Sequence, residues 1–138
     1  MTRVFVDTNV WFSAFYGSPH CEKIIKAHLE GKIKAVINRQ VLTELVTNIT
    51  KKIPNAVKPL QTFLESSPPE IVTPPQKTSV TSASLAHSKD LPILLSAHQA
   101  GVGIFVTGNI KDFKISLIKQ KLGLEILTPA AAVSKLYL

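Results

Sequence analysis

Short apolar runs alternate with longer amphipathic segments along most of the chain. "VFV" at 4–6, "AVI" at 35–37, "IV" at 71–72, "IFVT" at 104–107 and "EIL" at 125–127 are brief and β-rich, as buried strands are. The segments between them have helical length. Over 22–31 the apolar residues recur at helical spacing, and the pattern ends on Gly31, a C-terminal cap. Over 38–53 Asn38 is placed as an N-cap, and Val41, Leu42, Leu45, Val46 and Ile49 share one face. Lys51 and Lys52 suit the negative end of that helix. Residues 55–66 read as a helix bent or broken near Pro59. Residues 90–101 read as a helix with Pro92 in its first turn and Gly101 past its end, and 128–138 as a closing helix entered through Thr128 and Pro129. The least regular stretch is 66–79, "SSPPEIVTPPQKTS", whose four prolines read as a rigid surface crossing around one short strand.

Strands alternating with helices predict an α/β fold. The expected architecture is one three-layer α/β/α domain over residues 1–138, built around a mostly parallel five-stranded sheet. Ligands of such sheets bind beyond the carboxyl ends of the strands, where the strand order reverses. Asp7 follows the first strand directly. Thr107, Gly108 and Asn109 follow the fourth, with Asp112 three residues on. Two polar clusters are thus expected at one mouth of the sheet.

The charge sharpens this picture. Sixteen Lys and Arg against nine Asp and Glu give +7, a balance that favours a polyanionic partner, nucleic acid first and an anionic membrane second. Only three residues are aspartate: Asp7, Asp90 and Asp112. The single Cys21 excludes an internal disulfide and a cysteine zinc site, which fits a reducing, cytoplasmic setting. No apolar run approaches a membrane span, and the N-terminus lacks the order of a signal peptide. His20, His28, His87 and His98 show no metal-ligand spacing, and Trp11 and Phe12 read as core or interface aromatics.

Each acid also has an ordinary reading. Asp7 is placed to cap a helix beginning near Asn9, and Asp90 to cap the helix opened by Leu91 and Pro92. Glu44 lies off the apolar stripe of its helix, as a solvated glutamate does. Asp112 reads as a loop acid, and Thr8 as a hydrogen bonder that holds its turn. Capping and metal binding are compatible, because a capping carboxylate keeps free lone pairs.

The motifs taken together resemble the PIN-domain family of metal-dependent ribonucleases, of the VapC-like toxin type. They are "VFVDTNV" at the start, "VLTEL" in the second long helix, "SKDLPILLSAHQAG" before the fourth strand and "IFVTGNIKDF" across and after it. The resemblance implies a PIN-like fold in which carboxylates from distant segments converge, bind Mg²⁺ or Mn²⁺ and cut RNA with a metal-activated water. Carried over by position, the catalytic acids are Asp7, Glu44, Asp90 and Asp112. The metal ligands are Asp7, Asp90, Asp112 and Asn109, with Thr8 and Thr107 in support. Asn109 departs from the pattern, since the family usually carries Asp there. Either the metal is held less tightly or Asp112 carries the role. The resemblance also implies toxins held silent by an antitoxin protein and often homodimeric.

Arg39, Lys51, Lys52 and Lys111 lie near the motifs and are the expected RNA contacts. Two other classes stay open. One is a non-catalytic RNA-binding module with a degenerate site, favoured by Asn109. The other is a haloacid-dehalogenase-type phosphatase, which also places an Asp after the first strand but wants a second Asp where this chain has Asn9.

Overall fold

The computed structural model describes residues 2–73, 85–86 and 89–138. His87 and the second half of the proline-rich stretch, including Pro74 and Pro75, lie outside them. Five parallel strands form one sheet in the order β3-β2-β1-β4-β5, where β1 is Thr2–Val6, β2 Ile33–Asn38, β3 Glu70–Val72, β4 Ile104–Val106 and β5 Glu125–Leu127. Every strand predicted from the sequence is present. Seven α-helices flank the sheet among the described residues: α1 (Thr8–Tyr16), α2 (Pro19–Leu29), α3 (Arg39–Lys52), α4 (Val57–Ser66), α5 (Leu91–Gln99), α6 (Ile115–Leu122) and α7 (Pro129–Lys135). This is the three-layer α/β/α arrangement expected, because parallel neighbours must be joined by crossovers that cover the sheet.

Val4, Phe5 and Val6 are fully buried, as are Ala35, Val36 and Ile37 beside them and Phe105 and Val106 on the other flank. Strands covered on both faces carry continuous apolar runs, which is why these three-residue patterns marked them. Phe5 and Phe105 are register partners, and their rings stack at 5.2 Å. Trp11 anchors α1: its indole N–H donates to the Val6 carbonyl at 3.0 Å, and its ring meets Phe63 edge-on. The sheet reverses direction between β1 and β4, since β2 and β3 lie to one side of β1 and β4 and β5 to the other. A crevice opens there at the carboxyl ends of the strands.

Two departures have local causes. Near Pro59 the helix does not bend; it is preceded by a 3-10 turn over Pro54–Ala56, which leaves Pro59 in the first turn of α4, where a missing N–H costs nothing. Helix α6 has no counterpart in the sequence reading. Its N-cap, Lys114, makes no side-chain cap bond; tertiary contacts hold it instead, through Lys114 N–H to the Leu85 carbonyl at 3.1 Å and the fully buried Ile118.

His28 is a structural residue. Its Nδ1 accepts from the Ala35 N–H at 3.1 Å, so the ring proton sits on Nε2 and is donated to the Ser67 carbonyl at 2.9 Å. No helix among the described residues is long and apolar enough to cross a membrane.

Candidate active site

The chain leaves β1 at Val6 and turns into α1 at once. Asp7 N–H is still a sheet donor, to the Val106 carbonyl at 3.0 Å, while Asp7 Oδ1 accepts from the Thr8 N–H at 2.8 Å and caps α1. Its other oxygen, Oδ2, accepts from the Thr107 hydroxyl at 2.9 Å and from the Asn9 amide at 3.1 Å. The capping role and the strand-mouth role expected of Asp7 therefore coexist in one side chain. The carboxylate is only 7% exposed. Burial raises its pKa above the ordinary carboxylate range. The bonds from Thr107 and the Thr8 N–H oppose that rise, and the charges of Asp90 and Glu44 reinforce it.

Glu44 arrives from α3. That helix starts at Asn38, whose Oδ1 accepts from the Val41 N–H at 3.0 Å and whose amide donates to the Ser96 hydroxyl at 3.0 Å; both side chains are buried. This polar pair ties α3 to α5 through the core. Glu44 Oε1 accepts from the Thr8 hydroxyl at 3.2 Å, so the Thr8 side chain reaches across to α3 and positions Glu44. Asp90 opens α5 at the N-cap position, but its side chain makes no capping bond. The turn carrying it is held to α3 by the Gln40 amide, which donates to the Lys89 carbonyl at 2.9 Å.

Asp7, Glu44 and Asp90 line one cleft of about 230 Å³, together with Thr8, Asn9, Phe12, Asn48, Lys52, Lys89, Ile93 and Asn109. The expected convergence thus brings together three acids and the Asn109 slot. Asp112 is placed differently. It is exposed, in a 3-10 turn over Ile110–Asp112, its N–H donating to the Asn109 carbonyl at 3.0 Å, and it is not among the residues lining the cleft. Of the four cations expected near RNA, Lys52 lines the cleft and Arg39, Lys51 and Lys111 do not.

Sequence reasoning passed over Asn48 and Lys89, took Lys52 only as an RNA contact and weighed Asn9 only as a missing acid. Asn48 and Lys52 follow Glu44 at i+4 and i+8, so one polar face of α3 points into the cleft. Lys89 precedes Asp90. Asn9 is the hub of the floor: its amide donates to Asp7 and, at 3.4 Å, to the Thr107 hydroxyl, while its Oδ1 accepts from the Gly108 N–H at 2.7 Å. Thr107 is fully buried, and its hydroxyl also accepts from the Asn109 N–H at 3.1 Å. These bonds tie the loop after β1 to the loop after β4, and Asn9, an amide, offers no carboxyl for the second acid that phosphatase chemistry wants.

A Cβ on Gly108 would stand 2.9 Å from Asn9 Oδ1. Gly108→Ala should therefore push Asn9 out of its bonds and loosen Asp7. The expected stability cost is about 1–2 kcal/mol, read by thermal melting, with activity falling more than Asn9→Ser lowers it. A variant that melts like the parent would show that Asn9 is not a constraint on this floor.

The donor set suits a hard divalent cation: three carboxylates and amide carbonyl oxygens, with no sulfur or imidazole. Among the described residues no three His, Cys, Asp or Glu side chains are close enough to enclose one ion. A magnesium-like ion needs only one or two carboxylates and keeps several waters, so this spacing fits a hydrated ion. The buried, charge-crowded Asp7 is the observation that favours a cation there.

Comparison with known proteins agrees with the geometry. The family profile described as "PIN domain" matches residues 3–111. No curated protein matches the sequence. A chain in the crystal structure of VapBC2 from Rickettsia felis, bound to a DNA fragment from their promoter, is similar in fold, with TM-score 0.62 and 20% identity; the match covers 92% of this chain and 98% of that one.

Proposed function

This chain belongs to the PIN-domain family, and from that we propose that it is a Mg²⁺- or Mn²⁺-dependent ribonuclease that hydrolyses RNA phosphodiesters. One observation carries the reading: carboxylates from three separate segments, Asp7, Glu44 and Asp90, converge on a cleft that also holds Lys52 and Lys89. A divalent ion bound there supplies an acidified water and offsets charge on the phosphate. Asp7, Glu44, Asp90 and the Asn109 carbonyl would hold it, in part through its bound waters.

The chain's own contribution is arrangement. Asp7 is fixed by bonds to both of its oxygens, and Thr8 orients Glu44. Lys52 and Lys89 offer the phosphate two positive charges beside the acids. Asp112 adds negative charge at the rim.

Purified protein should cut labelled RNA with Mn²⁺ and stop when a chelator is added. Asn109 in the cleft favours a second reading, a non-catalytic RNA-binding module, and RNA binding without cleavage under any divalent ion would establish it. RNA affinity should fall with salt. For two phosphate contacts the slope of log affinity against log salt is about −1.4, and Lys52→Ala or Lys89→Ala should each remove about 0.7. A slope near zero would point to another ligand.

The VapBC2 neighbour and the toxin-type motifs support a toxin restrained by an antitoxin protein, and we extend the proposal to a cytoplasmic homodimer. Expression of this chain alone should arrest growth, and Asp7→Asn should relieve the arrest.

A further inference from the structure

A second hollow, of about 360 Å³, is lined by Phe12, Ser13, Tyr16, Gly17 and Ser18. Phe12 also lines the carboxylate cleft. Phe12 and Tyr16 are one helical turn apart on α1, and their rings stack at 6.0 Å with 25° between planes. They form one aromatic shelf running away from the acids. Phe12 is half-buried and packed on the core, so the near end of the shelf is rigid; Tyr16 is 72% exposed at the far end. Lys52 Nζ lies 5.6 Å from the Phe12 ring centre, which places a cation over the residue the two hollows share. The helix stops just beyond Tyr16 because Gly17 takes a left-handed conformation at φ 106°. The chain turns there, and Ser18 comes to the edge of the hollow.

We propose that this shelf is a nucleobase-stacking subsite for single-stranded RNA, seating a base next to the phosphodiester held at the acids. The inference rests on the ribonuclease reading for the position of that phosphodiester, but the shelf itself is argued from different residues. An apolar ring surface alone would suit many occupants. Two features select RNA. The shelf shares Phe12 with the carboxylate cleft, whose Lys52 lies over that ring, and aromatic faces beside a cationic track are how proteins bind single strands without reading sequence. Ser13, Ser18 and Tyr16 line the hollow, and their hydroxyls can meet the polar edge of a base.

The test measures binding, not cleavage. In an Asp7→Asn background and metal-free buffer, the affinity of a short single-stranded oligoribonucleotide is read by fluorescence anisotropy, beside an abasic strand of equal length. Tyr16→Ala should weaken the ribonucleotide roughly five- to hundredfold, the range that single stacking aromatics show. Tyr16→Phe should restore it, and the abasic strand should bind both proteins equally weakly. Tyr16 is exposed, so its truncation leaves the core intact, and melting curves check this. Equal RNA affinity with and without the Tyr16 ring overturns the shelf, as does equal binding of abasic and intact strands; a shelf that serves a protein partner gives that result. If the parent cleaves RNA while Tyr16→Ala binds as tightly, the shelf falls and the nuclease stands. If Tyr16→Ala weakens binding but the parent never cleaves, the nuclease falls and the shelf stands.

Discussion

Asp7→Asn should slow RNA cleavage by on the order of 10³-fold and, in the same protein, raise the melting temperature of the metal-free form. The two effects have one origin. The Asp7 carboxylate is buried, and the charges of Glu44 and Asp90 face it, so its ionised form costs stability. Each unit by which a pKa is raised is worth about 1.4 kcal/mol against the charged native state. Asparagine removes that cost and keeps the cap, since its carbonyl still accepts from the Thr8 N–H. Its amide nitrogen then faces both donors that Oδ2 accepted from: the Asn9 bond is lost and the Thr107 hydroxyl must turn to accept; each lost bond costs about 1 kcal/mol. Each 1 kcal/mol of net gain corresponds to roughly 3 °C in a chain of this size.

The pH dependence separates this account from a general stabilisation. Asp7 has a native pKa raised above its unfolded value. Below the unfolded value both states hold the proton, and the group contributes nothing. As pH rises past that value the unfolded state releases its proton first, so the parent loses stability until pH exceeds the native pKa, and beyond that the penalty is constant. Asp7→Asn lacks this decline. The difference in melting temperature should therefore be small near pH 4, widen above it and level off. Adding Mn²⁺ should stabilise the parent more than the variant, because a bound cation offsets the charge only where there is charge. A variant that melts below the parent at neutral pH in chelator would show that Asp7 is a net structural asset rather than a site under strain.

How much of this could be read in the chain follows from what each pattern encodes. The strands were legible because a parallel sheet covered on both faces demands unbroken apolar runs, and "VFV" and "IFV" admit little else. Helix α3 was legible from its cap and its stripe, although Val46, counted on that stripe, is 43% exposed. Helix α6 was not, since its start is held by Leu85, a contact distant in sequence, and it lacks a capping side chain. The role of His28 was invisible for the same reason: its partners, Ala35 and Ser67, are fixed only by the fold.

At the site, Asp7 and Asn109 announced themselves by following strands. Glu44 did not, because a helix face turned toward a polar cleft carries the same pattern as one turned toward water. Only the resemblance to PIN domains singled it out. Asn9 was weighed for the acid it is not; its bonds to Asp7, Thr107 and Gly108 cross from one loop to another, and no local pattern records such a bond. Asp112 is a different case. The resemblance gave it a place among the ligands; the structure sets it in an exposed 3-10 turn, outside the lining of the cleft.

That difference between Asn109 and Asp112 makes the charge at residue 109 the second large lever. Asn109 lines the cleft with the three acids, and its amide brings an oxygen but no charge. Asn109→Asp adds a negative charge there with almost no change in volume. Unscreened by water it would attract a cation strongly; at a surface-like dielectric the pair is worth about 4 kcal/mol at 4 Å. Two terms reduce this. Asn109 is exposed, so solvent screens it, and the new carboxylate repels Asp7, Glu44 and Asp90 in the empty site. A residual gain near 1.4–2.8 kcal/mol is an increase of about ten- to a hundredfold in Mn²⁺ affinity. The repulsion appears elsewhere, as a metal-free protein that melts lower and recovers on adding Mn²⁺. Asp112→Asn is the matched comparison. Asp112 is exposed and outside the lining of the cleft, so removing its charge should cost less Mn²⁺ affinity than Asp7→Asn does. Calorimetric titration of the three variants orders them. If Asn109→Asp leaves Mn²⁺ affinity unchanged while Asp112→Asn abolishes it, the ion is held at the rim turn and not in the cleft.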